Sequence, residues 1–158
     1  MKKALKIIVG ILIVALVINT IWFGWSRVKY GKLSRGMEEN PIDEFLVPRY
    51  FYSDEEGYDF GVKYPDYLSL TGNMSVGTPT EGENPFTDAL IIWPKLSGKY
   101  ELGVLLYEED EGYSIYIDSY GNALSKEDED IVSRHKDNID ALLKKADEMW
   151  GIPNGKEK

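Results

Sequence analysis

The sequence predicts an α+β protein in which an N-terminal transmembrane helix precedes a small antiparallel sheet of about five strands packed against one C-terminal amphipathic helix. Three patterns carry this reading. A charge-free apolar run covers 7–26, apolar and polar residues alternate in short segments between 58 and 117, and a three-and-four-residue spacing governs 131–150.

The first run, IIVGILIVALVINTIWFGWS, has only Asn19, Thr20 and Ser26 as clearly polar members. A helix of ~20 residues rises ~30 Å, the thickness of the hydrocarbon layer. Trp22, Phe23, Trp25 and Tyr30 gather at its distal end, and Arg27, Lys29 and Lys32 follow, the pattern of an interfacial anchor. A cleaved secretory signal shares the basic start but needs small residues at two cleavage positions. Neither Ala15 with Val17 nor Ile18 with Thr20 supplies a good exit. A buried core helix fits poorly, because the run is apolar on every face and basic at both ends. Basic residues nearly balance across the span, but a very short basic N-terminus is the form of a signal-anchor. The expected placement is therefore a single-pass cell-membrane protein, N-terminus cytoplasmic and domain extracytoplasmic.

From Ser26 to Pro48 there is no sustained period, and Gly31, Gly36, Pro41 and Pro48 interrupt it, so the segment reads as a tether. Ile42, Phe45, Leu46 and Val47 are candidates to dock on the domain edge. Tyr58, Phe60, Val62 and Tyr64 then share one strand face, and Leu68, Leu70, Met74 and Val76 continue the period, with Gly72 as a possible bulge. These two strands form a hairpin over 58–76. GTPTEGENPFTD at 77–88 reads as a surface loop. Ala89 to Trp93, Tyr100 to Tyr107 and Tyr113 to Ile117 complete the strands, with the acidic turn 108–112 placing Gly112 for positive φ.

Ser125 is suited to cap a helix whose first turn carries Glu127 to Asp130, and Gly151 with Pro153 stops it. Ile131, His135, Ile139, Leu142, Ala146 and Met149 form its apolar stripe. The chain thus divides into a basic N-terminus (1–6), the anchor (7–26), the tether (27–48), the α+β domain (49–152) and a tail (153–158).

Charge narrows the partners. The seven basic residues before Gly36 leave 11 Lys and Arg against 27 Asp and Glu beyond it, a net -16 that repels phosphate backbones. Nucleic acid is not an expected partner; the lipid bilayer, through 7–26, is. The absence of Cys excludes disulfides, thiolate metal sites and a lipidated cysteine. No nucleotide loop, GxSxG elbow or HExxH helix occurs, and no cofactor is expected. His135 lies in the apolar stripe and reads as structural; the acidic runs at 53–57 and 108–111 lack calcium-loop spacing and read as solvated hairpin tips. With the helix on one sheet face, the other carries Glu101, Tyr107, Tyr116, Asp59 and Lys63. Tyr is enriched at interfaces, so Tyr107, Tyr116 and Glu101, together with Pro85 and Phe86 of the loop, are the expected partner-facing residues. The function expected is a non-enzymatic, membrane-anchored interaction domain for another envelope protein. The alternative is an anchored small-ligand binder or a carboxylate-based hydrolase.

Overall fold

The computed structural model describes residues 2–40, 47–79, 87–108 and 111–152. A 32-residue helix α1 (Lys2–Leu33) opens the chain. Within it, Leu5–Leu33 has a mean hydropathy of 2.5 and is long and apolar enough to cross a membrane. Only 6% of its most apolar window is covered by the rest of the protein, so its Leu, Ile and Val side chains face outward.

Seven strands follow: β1 (Glu38–Glu39), β2 (Arg49–Ser53), β3 (Asp59–Lys63), β4 (Asn73–Gly77), β5 (Ala89–Pro94), β6 (Tyr100–Glu108) and β7 (Glu111–Ile117). They form one antiparallel sheet in sequence order, a meander joined by local connections. The strand count among the described residues is therefore seven, not five. Arg49-Tyr-Phe-Tyr-Ser puts aromatic rings on both faces, so its hydropathy shows no alternation. Glu38–Glu39 becomes a strand only by pairing with Phe51 and Tyr50.

Residues 65–72, expected to begin the second strand, instead form the β3–β4 loop. Leu68 and Leu70 are both 51% exposed, and Leu68 adopts φ 59°. Gly72 is no bulge. The chain crosses itself there, and a Cβ at Gly72 would collide with the Lys63 carbonyl. Gly112 is also absent from the positive-φ residues: it lies within β7 opposite Tyr107.

Ser125 accepts a hydrogen bond from the Glu127 amide (3.3 Å), but it caps a 3-10 turn, Lys126–Asp128, rather than an α-helix. Two helices then replace the single one expected, α2 (Glu129–Arg134) and α3 (Lys136–Trp150), separated at His135. Gly151 (φ 64°) ends α3 in the left-handed conformation that its sequence position implied. The apolar stripe of α3 packs over β4 and β5, where Met74, Val76, Leu90, Ile92, Ile139 and Leu142 are essentially inaccessible.

The end of α1 joins this core, so that residues 27–33 of the expected tether are helix. Tyr30 is fully buried, and its hydroxyl accepts the Gly72 amide at 2.7 Å. The Leu33 carbonyl accepts the Trp150 indole N–H at 2.9 Å. Trp25, Leu33 and Met37 pack around the same cluster. The aromatic residues expected to mark a membrane interface are thus partly used as core. Ile42, Phe45 and Leu46 lie outside the described residues.

Candidate functional site

Alternation along each strand divides the sheet into two faces. Phe60, Val62, Met74, Val76, Leu90, Ile92, Val104, Leu106, Ile115 and Ile117 point under the helices and are buried. Their neighbours point to the other face, which no helix covers among the described residues. Cross-strand pairing aligns Phe51, Gly61, Ser75, Ile91, Gly103 and Tyr116 in one row across six strands. Phe51 is 46% and Tyr116 53% exposed, an unusual level for large rings on a sheet surface.

Glycines decide how the rings lie. A Cβ at Gly103 would stand 3.0 Å from Cζ3 of Trp93, and one at Gly112 would stand 3.0 Å from Cε1 of Tyr107. Both rings therefore lie down over a bare backbone, the arrangement by which aromatic residues cover strand glycines. Trp93 also packs on Tyr116 with centroids 5.9 Å apart. The rings share this face with Asn73, Ser75 and Ser114 and with Ile91 and Leu105.

Two ionic clasps fix the edges of this platform at the end bearing the β2–β3, β4–β5 and β6–β7 connections. Asp88, 7% exposed, accepts the Tyr107 amide (2.9 Å), the Asn138 amide group (2.9 Å) and contacts His135 Nδ1 at 2.7 Å. The other ring nitrogen of His135 meets Glu108 at 3.3 Å, and Arg134 holds Glu108 through two hydrogen bonds of 2.8 and 3.0 Å. His135 is thus not part of an apolar stripe; it breaks the helix and binds it to β5 and β6. Lys145 reaches Asp54 (2.7 Å) and Glu56 (3.1 Å) beneath the Tyr58 ring.

These contacts set the carboxyl groups. Partial burial alone would raise Asp54, but the Lys145 ammonium and the Tyr58 and Glu56 amides outweigh it and hold the group below its ordinary value. The Arg134 guanidinium does the same for Glu108 against a smaller desolvation effect. At the opposite end, desolvation of Asp118 is overcome by the Asn122 and Tyr120 amides. Among the described residues no group of His, Asp and Glu is arranged to hold a metal ion.

A cleft of about 860 Å³ opens between the β5–β6 turn and the chain leaving β7. Glu101 and Tyr116 both line it, so two expected partner-facing residues meet there. Tyr107 sits six residues along β6 from Glu101, roughly 20 Å away at the usual strand rise, on the same face. Pro85 and Phe86 lie outside the described residues. Three acids line the cleft: Glu101 pairs with Lys95 at 2.5 Å, Asp118 is held by Asn122 and Tyr120, and Asp128 is the third. Sequence reasoning missed Phe51, Trp93 and the glycines beneath the rings. The available signal was a glycine at an outward strand position, Gly103, with a Trp one hairpin back. No protein-family model, curated protein sequence or solved structure matches the chain.

Proposed function

We propose that this chain is a single-pass membrane protein whose domain is a non-enzymatic docking module, receiving another envelope protein on its open sheet face. The observation that carries the reading is the aromatic open face itself, where Trp93 and Tyr107 lie over glycines, Phe51 stands opposite Gly61 and Tyr116 packs on Trp93, with no helix above them among the described residues. Flat aromatic surface offers large contact area with little side-chain entropy to lose, which suits a protein interface. The exposed apolar course of α1 supplies the anchor. The short basic N-terminus favours a cytoplasmic start and an extracytoplasmic domain. A net -16 beyond Arg35 disfavours nucleic acid as the partner. The hydrolase alternative needs a free pair of carboxylates, whereas two of the three acids lining the cleft, Glu101 and Asp118, are neutralised or hydrogen-bonded and Asp128 alone is left.

A photoreactive amino acid installed in cells at Phe51 or Tyr116 should yield a discrete crosslinked protein, and one at Lys144 on the outer side of α3 should not. Equal crosslinking at all three sites, or none at the two open-face sites, would remove the proposal. A reporter fused at the C-terminus tests the orientation separately; cytoplasmic activity would reverse it.

A further inference from the structure

The meander places the β3–β4 loop, the β5–β6 turn and the exit of β7 at one end of the sheet, and α1 meets the domain at that end. Outside α1, ten large apolar side chains are exposed among the described residues. Six of them belong to these three connections, Tyr67, Leu68, Leu70, Leu96, Tyr120 and Leu124, and the remaining four lie on strands. The opposite end is different in kind: its turns present Asp54, Glu55, Glu56, Glu108 and Glu111. Amphipathic surfaces of this sort, apolar at the tip and acidic far from it, mark contact with a bilayer rather than with water.

Depth comes from α1. The Trp22 indole donates to the Ser69 carbonyl at 2.7 Å, the Tyr67 ring packs edge-on against Trp22, and the Tyr67 hydroxyl bonds Asn19. Asn19 lies eight residues before Arg27, which is ~12 Å along a helix. The β3–β4 loop therefore runs beside the last turns of the apolar segment, at the level where Trp22 and Phe23 mark the headgroup boundary. Leu68 adds an independent sign. The fold holds it at φ 59°, a conformation disfavoured for a leucine, with about half of its surface exposed.

Charge is compatible. Arg27, Lys29 and Lys32 leave α1 at this level, and Lys63, Lys95 and Lys99 flank the loops. Asp66 and Glu101 are matched by Lys63 and Lys95. Asp118 keeps its charge among backbone amides.

Together these features carry a second membrane contact. We infer that the three connections 65–72, 95–99 and 118–124 seat the domain on the outer headgroup and upper acyl region of its own bilayer. The open sheet face is then held at a fixed angle to the membrane instead of swinging on a tether. This rests on the spanning reading of α1.

The natural absence of Cys makes the test direct. Leu68→Cys, Leu96→Cys and Tyr120→Cys, with Glu55→Cys at the far end, are spin-labelled in the full chain and placed in nanodiscs of phosphatidylcholine and phosphatidylglycerol. All four sites are exposed, so labelling should leave the melting transition in place. The inference expects the first three labels to favour collisions with oxygen over a water-soluble nickel chelate, and the Glu55 label to show the reverse. Four water-accessible labels on a chain that stays inserted after carbonate washing would overturn it while sparing the anchor. Shielding that appears only with two chains per disc would also overturn it, by assigning the surface to a second copy or helix. A chain that washes out of the discs would remove the anchor reading and the inference with it.

Discussion

The two faces of the sheet are made from the same seven strands by alternate residues, yet they solve different problems. On the helix side, Val, Ile, Leu and Met stand upright and interdigitate with α3 and the end of α1, leaving Tyr30, Met74, Leu90, Ile92 and Leu142 with no accessible surface. On the open side, glycines at 61, 103 and 112 remove the side chains that would prop the rings up. Burial on the first face follows from volume filling. Flatness on the second follows from omission of Cβ atoms, which weakens strands and needs a compensating contact from Trp93 and Tyr107.

That contrast breaks most sharply at Tyr30. Tyr30→Ala empties a fully buried site, leaves the Gly72 amide without its acceptor and should cost about 3–5 kcal/mol in chemical denaturation. Asp88→Ala comes next. It leaves the Tyr107 amide and Asn138 without their acceptor, and a loss of about 1–3 kcal/mol is expected in the same assay.

A pH series sharpens the account of the clasps. Asp54, Glu108 and Asp118 titrate lower in the folded protein than their ordinary values of 3.8, 4.5 and 3.8. Their stabilisation is therefore complete above those values and is lost as pH falls through the lowered ones. Denaturation midpoints should drop on acidification below about pH 4, and Lys145→Ala should flatten that dependence by releasing Asp54. The smallest effect belongs to the open face. Tyr116→Ala should change stability by no more than about 0.5 kcal/mol while abolishing the crosslinks expected from Phe51. A large destabilisation there would mean that the ring serves the fold rather than a partner.

Legibility followed the range of the interactions. The part of the helix stripe from Ile139 to Ala146, the Gly151 stop and three of the strands rest on local periodicity, and each stands in the structure. The α2–α3 break at His135 was hidden because its cause is Asp88, 47 residues earlier. β2 was hidden because rings on both faces leave no alternation, and β1 because two glutamates have no strand signal of their own. Glu101, Tyr107 and Tyr116 were placed on the correct face by strand parity alone, since a side-chain period of two needs no knowledge of neighbours. Phe51 and Trp93 were not recognised as part of that face, since their prominence depends on which glycine lies across the ladder.

By itself the sequence determined the long apolar helix, the α+β class and the inward and outward sets of most strands, because hydropathy and its period act within one element. Only the tertiary structure decided that 27–33 is helix docked in the core, that three loop tips share one end, and that rings lie flat over glycines. Those outcomes depend on strand order, register and the direction from which α1 arrives. Each joins residues distant along the chain, and no local pattern encodes such pairings.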